Sequence, residues 1–256
     1  VVGSKIEHNR FSGFEIQPTA RLWWMPRPHQ AAWVAVSRAV RAPSAADQDL
    51  SYNALAQPVG GGLTGLVRLI GGSDLRSERL RAYEAGYRVQ PLPSVSLDAA
   101  AFYNSYTDLR DYAWGTPFAE AVPTPAHFVL PAYAHNRSHA TSWGLELAAN
   151  WQPVPWWKLA GTYSGLALRI QRSGDPWYGA LILGENPSHQ AGLRSQADLW
   201  HTVQLDAAAY YVGALSVLRI PAYTRVDARL AWQALPPLEL SVAGANLLDP
   251  RHTEYP

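Results

Sequence analysis

The chain has no cysteine and only one methionine, Met25, in 256 residues. Without cysteine there are no disulfides and no thiolate metal sites, and the compartment is left open. Charged residues make up only 16%, and 21 Lys and Arg nearly balance 20 Asp and Glu. No basic excess marks a nucleic-acid partner. No apolar run reaches the roughly 18–20 residues of a membrane helix, which excludes helical spans but not a barrel. The start at Val1 shows no signal-peptide pattern. It suits a processed chain or a piece of a longer protein.

Catalytic and cofactor motifs are also missing. No nucleophile sits in a Gly-x-Ser-x-Gly elbow, and Ser37 and Ser44 have no triad around them, so no enzyme is read here. The glycine-rich stretches "VGGGLTGL" (59–66) and "IGGSDL" (70–75) lack the Gly-Lys-Ser/Thr that would hold a phosphate; a mobile outer loop is the expectation. His135 and His139 have an i, i+4 spacing, which gathers ligands on a helix. In a strand four residues span about 13 Å, so these read as unrelated exposed histidines. No metal and no resident cofactor are expected.

What the chain has in quantity is aromatic residues, 11 Trp and 13 Tyr, arranged in a two-residue rhythm. In "ATSWGLELAANWQPVPWWKLAGTY" (140–163), Trp143, Leu145, Leu147, Ala149 and Trp151 alternate with Gly144, Glu146, Ala148 and Asn150. After a proline-rich turn Trp157, Leu159, Gly161 and Tyr163 do the same. Strand side chains alternate between faces, so this reads as an antiparallel hairpin with one apolar face. The same rhythm predicts about eleven strands, near 3–9, 14–25, 29–38, 78–91, 95–106, 140–152, 156–168, 187–198, 201–212, 222–233 and 237–246. Many have ten or more residues. Globular strands average about 5–6, whereas a tilted strand crossing a bilayer needs about 9–11.

Short connections, several rich in proline ("MPRPHQ", "QPLPS", "QPVPW", "DLWH", "QALPPL"), alternate with longer ones at 39–77, 107–139 and 169–186. Outer-membrane barrels alternate short turns and long loops in this way. In the seven clearest strands one parity carries no charge, while Asp98, Glu146, Lys158, Arg194, Asp198, Asp206, Arg225, Asp227, Arg229 and Glu239 sit on the other. A Lys or Arg facing lipid at mid-depth costs about 2–4 kcal/mol, which explains an uncharged face. Tyr103, Trp143, Trp151, Trp157, Tyr211 and Trp232 lie toward strand ends on that face, as interfacial aromatics do. A soluble β-sandwich, or a secreted module built on one, would also alternate. Its strands would be shorter and its aromatics not placed at strand ends.

Residues 5–44, 80–111, 141–164 and 244–256, the last reading "GANLLDPRHTEYP", resemble the C-terminal barrel half of TonB-dependent outer-membrane receptors. The resemblance implies roughly half of a barrel of about 22 strands, with residues 1–256 incomplete at both ends. It also implies an N-terminal plug domain, absent from this chain, through which the TonB complex energises uptake. A further C-terminal strand ending in an aromatic residue is expected. The implied setting is the bacterial outer membrane, with its lipid and lipopolysaccharide as neighbours. The implied activity is uptake of a metal chelate, a ferric siderophore first and cobalamin second. A passive porin or structural barrel is the alternative.

Candidate ligand contacts lie at strand ends and in the long connections. Arg38 and Arg41, in "SRAVRAP", offer guanidinium forks to an anionic ligand, or pair with lumen carboxylates or lipopolysaccharide phosphates. Tyr112, Trp114, Phe118, His127, Phe128, Tyr133, Trp177 and Tyr178, with Arg137, suit stacking on a planar chelate or packing of loop on loop. Asp98, Glu146, Arg194, Asp206, Asp227 and Arg229 are expected to line a salt-bridged inner wall.

Overall fold

The computed structural model describes residues 1–171, 186–200 and 202–248. The chain runs β1 (Val2–Asn9), β2 (Gly13–Arg27), β3 (Gln30–Arg41), α1 (Ala45–Asp49), β4 (Ser51–Gly60), β5 (Leu63–Ile70), β6 (Glu78–Leu92) and β7 (Val95–Trp114). It continues with β8 (Phe118–Glu120), β9 (His127–Val154), β10 (Trp157–Gln171), β11 (His189–Leu199), β12 (Val203–Val212), β13 (Tyr223–Leu235) and β14 (Leu238–Gly244). One sheet follows the path β1-β2-β3-β6-β7-β9-β10-β11-β12-β13-β14. These are the eleven strands expected from the rhythm, each antiparallel to its neighbour. The sheet is open, with β1 and β14 at its edges.

The short turns singled out from the sequence gather at one end, whereas the three-residue turn between β1 and β2 lies at the other. Ladder register slips beside the former, between Trp24 and Arg27, Val89 and Leu92, Trp157 and Leu159, and Gln233 and Leu235. Prolines cluster there because they donate no ladder hydrogen bond, so regular pairing stops where they begin.

Register shows that the two parities become two continuous faces. One row of the uncharged face runs Trp24, Ala32, Tyr87, Ala99, Leu147, Tyr163, Ala191, Tyr211. This face is not covered by protein: Leu147 is 42% exposed, Leu193 56% and Val242 68%. A sandwich would bury it. On the opposite face a row runs Arg88, Asp98, Ala148, Thr162, Gly192, Tyr210, Arg225.

The stretches 39–77 and 107–139, expected as long connections, are largely ordered into further strands. β7 continues to Trp114 and β9 begins at His127. With 28 residues, β9 has more than twice the length needed to cross a bilayer. Past the end of β10, β5 takes over that edge of β9 and pairs with it in parallel, Thr64 opposite His127 through Ile70 opposite Tyr133. The stretch 59–66 is not a loose loop but the tip of the β4–β5 hairpin. Gly60, Gly61 and Gly62 all have positive φ there, a conformation that side chains disfavour.

The packed core lies in this distal cap rather than beneath the bare face. Val67, Leu69, Leu75, Val129, Pro131, Ala132 and Ala134 are buried in it.

Candidate functional site

The cap is assembled from β4, β5, α1, β8 and the distal parts of β7 and β9. α1 starts with a capping box: the Asp47 backbone N–H donates to Ser44 Oγ (3.2 Å), and the Ser44 N–H donates to Asp47 Oδ2 (2.9 Å). The buried Asp47 carboxylate then receives two arginines, Arg41 at 3.4 Å and Arg110. Arg41 also reaches Glu78 at 3.0 Å, and Glu78 accepts the Arg110 backbone N–H at 3.0 Å. Three segments are thereby joined around one charge-balanced knot. Alongside it, Ser138 donates to buried Asp111 at 2.8 Å.

A second cluster ties β5 to β8. Arg68 donates to both oxygens of Glu120, each at 2.7 Å. The Arg68 hydrogen bonds hold the Glu120 carboxyl below its usual range, and Glu120 raises Arg68 in return. His127, 5% exposed, sets its Nε2 3.3 Å from Glu120 Oε2 and its Nδ1 3.0 Å from the Pro125 carbonyl. A third device is Asn136. Its amide donates to the Asp108 and Arg76 carbonyls (2.6 and 3.1 Å), and its oxygen accepts the Arg76 N–H (2.7 Å). Arg76 and Arg79 also pair with the Asp108 carboxylate, at 3.6 and 2.6 Å.

Of the residues singled out from sequence, Arg41 lies in the first cluster. Arg38 bonds to the Ile16 carbonyl and to Glu15, the latter at 3.4 Å. Tyr112 and Trp114 stand opposite Ala134 and Ala132, whereas Tyr133 stands opposite Ala113 and so lies on the other face. Trp114, Phe118, Phe128 and Tyr133 are exposed. Arg137 is exposed on β9, near the pairing irregularity with β7. His135 and His139 lie on β9, as strand residues. Trp177 and Tyr178 lie outside the described residues.

The inner-wall candidates share the charged face. Asp98 pairs with Arg88 at 2.5 Å; Arg229 bridges Asp206 (3.4 Å) and Glu239 (2.6 Å); Asp227 pairs with Arg225 at 3.1 Å. Glu146 and Arg194 form no ion pair among the described residues. Glu146 lines a groove of about 390 Å³ with Asp98, Thr162, Ser164, Gln190 and Tyr210. Among the described residues no group of three acidic or histidine side chains is placed to hold a metal.

Sequence reasoning missed Asp47, Arg68, Arg110, Glu120 and Asn136. Only Asp47 carried a local signal, the Ser-x-x-Asp spacing of a helix start. The others become neighbours only when distant segments pair.

A sheet with one bare exposed face, one ion-paired face and a polar cap is the setting for the comparisons. The family model "TonB dependent receptor-like, beta-barrel" matches residues 2–247. The chain belongs to this family. Its fold is that of solved receptors. The siderophore receptor PirA from Acinetobacter baumannii has a TM-score of 0.74 at 14% identity, over 97% of this chain and 39% of that one. A ferric enterobactin receptor (PfeA) mutant from Pseudomonas aeruginosa gives 0.71 at 14%, over 97% and 37%. The ferric yersiniabactin uptake receptor FyuA from Yersinia pestis gives 0.60 at 18%, over 94% and 33%. The chain thus spans a third to two-fifths of these receptors. No curated protein is matched by sequence. Outer-membrane barrels in general turn an apolar band to lipid and a polar face to the lumen; here the proline-rich turns lie at the end opposite the cap.

Proposed function

We propose that this chain forms about half of the barrel wall of an outer-membrane receptor that takes up a ferric siderophore, with cobalamin as the second candidate cargo. The observation behind the reading is the cap. Strands that outrun any bilayer end in an ordered polar structure with exposed aromatics on both faces, Trp114 on one and Tyr133 on the other, each suited to stacking on a planar chelate. The remaining strands and a plug complete the wall, because the open edges of β1 and β14 would leave backbone groups unsatisfied in lipid. The plug, facing the lumen wall, links the receptor to TonB. No covalent chemistry is involved.

The test is growth of the bacterium on single ferric siderophores as the sole iron supply, with and without the complete gene, in strains with and without TonB. Uptake that needs both supports the reading. Uptake that persists without TonB identifies a passive porin instead.

A further inference from the structure

At the turn end of the charged face two cations stand together with no acid to answer them. A pocket of about 220 Å³ opens there, with Ser96, Asn150, Lys158, Arg194 and Gln196 in its lining. Register puts Ser96, Asn150, Ala160 and Arg194 in one cross-strand row. Lys158 stands opposite Gln196 in the next row toward the turns. Lys158 and Arg194 are therefore diagonal neighbours on one face, about 7–8 Å apart at the backbone.

Neither cation forms an ion pair or a hydrogen bond among the described residues, and the side-chain amide of Gln196 is free as well. Among the described residues no carboxylate lines the pocket. The acids in the rows around it are committed elsewhere: Asp98 to Arg88, and Asp206, diagonal to Arg194, to Arg229. Asp198, the other diagonal neighbour of Lys158, forms no ion pair with it and does not line the pocket. Glu146 shares a row with Gln190, four residues outward of Arg194. That is about 13 Å along the strand, beyond the screening length of about 8 Å at physiological salt. Like charges held this close repel, and an anion seated between them removes the penalty. The Asn150 amide donates to Ser96 Oγ at 3.4 Å, which leaves the Ser96 hydroxyl proton for a guest. A guanidinium fork, an ammonium, a hydroxyl and an amide together select an oxyanion.

On the receptor reading this face lines the lumen, and cargo that enters at the cap leaves at the turn end, past the pocket. Ferric iron is held by oxyanion ligands, and ligands whose charge exceeds that of the metal leave the chelate anionic. We propose that Lys158 and Arg194, with Ser96 and Gln196, form an exit-side station for the oxyanion groups of an anionic ferric chelate. The proposal rests on the receptor reading and narrows its cargo to chelates of net negative charge.

The test uses the complete receptor and two readouts. Crystals soaked in bromide should show an anomalous peak between Lys158 and Arg194 in the unaltered protein. The peak should vanish in Gln196→Glu, which supplies a resident carboxylate. In cells, the maximal rate of TonB-dependent uptake of the ferric siderophore that supports growth should fall in Lys158→Gln, Arg194→Gln and Gln196→Glu. The expected loss is about tenfold, the worth of one charge-assisted hydrogen bond. Affinity for the siderophore at the cap should stay unchanged, and Lys158→Arg and Arg194→Lys should recover most of the rate. Gln196→Glu keeps both cations and should be at least as stable by heat-dependent gel mobility, so it decides if the other variants do not fold. Absence of a bromide peak in the unaltered receptor overturns the proposal. A peak with normal uptake in the variants marks an adventitious ion only and overturns it as well. So does a plug carboxylate seated against both cations, because their charge is then spent on structure. A cargo without net negative charge removes the proposal and leaves the receptor reading intact. If the unaltered receptor takes up no ferric siderophore, the receptor reading falls and the proposal with it.

Discussion

Arg68 and Glu120 lie 52 positions apart and share two hydrogen bonds of 2.7 Å. Because Arg68 lowers the Glu120 pKa in the folded cap, this pair stabilises the cap fully above the ordinary carboxylate value of about 4.5. That contribution is lost as pH falls through the lower folded value. Hydrogen-exchange protection at β5 and β8, taken relative to the intrinsic amide rate at each pH, should therefore be steady near neutrality and fall below about pH 4.5. Glu120→Gln should speed exchange at neutral pH and flatten this acid dependence. A second prediction concerns Gly86. A Cβ there would fall 2.3 Å from Trp33 Nε1, because the indole of its register partner lies across the glycine. Gly86→Val should displace that ring and cost about 1–3 kcal/mol, read as a lower temperature for the heat-dependent gel shift.

At the scale of the strand, adjacent residues answer to different solvents. Leu147 on β9 faces lipid, while Glu146 beside it lines the groove on the charged face. Leu147→Arg should cost about 2–4 kcal/mol in refolding into lipid vesicles. Glu146→Arg, one position away, should change stability by only about 0.5 kcal/mol. Similar costs at both positions would contradict the assignment of faces. The strands were the most legible part of the chain, since each carries its own alternation through ten or so residues. β4, β5 and β8 were not legible: β4 is exposed on both faces, β5 sits beside glycines, and β8 has three residues, so none shows a clean period of two. They are strands because β9 projects far enough to template them.

At the scale of the whole sheet, closure is the open matter. Among the described residues β1 and β14 each have a strand on one side only. In the isolated chain their outward amides should exchange much faster than those of β7 or β9, which have partners on both sides. In the complete receptor β1 and β14 should become as protected as the interior strands. Rapid exchange persisting there would mean that these edges are not seams in a closed wall. The cap also places Trp114 and Tyr133 on opposite faces rather than gathering the sequence's aromatic candidates on one surface.

The sequence by itself determined the eleven strands, their two faces and the end at which the short turns lie. That information is local: a period of two and a proline at a turn act through neighbours a few residues away. Only the tertiary structure decided which charges neutralise one another and which stay available. Arg41 meets Asp47 and Glu78, Arg68 meets Glu120, and Arg81 stands opposite Arg38 through strand register, which no short window of sequence contains. Electrostatic interactions fall off with distance in space rather than along the chain, so they become readable only when the strands have been placed side by side.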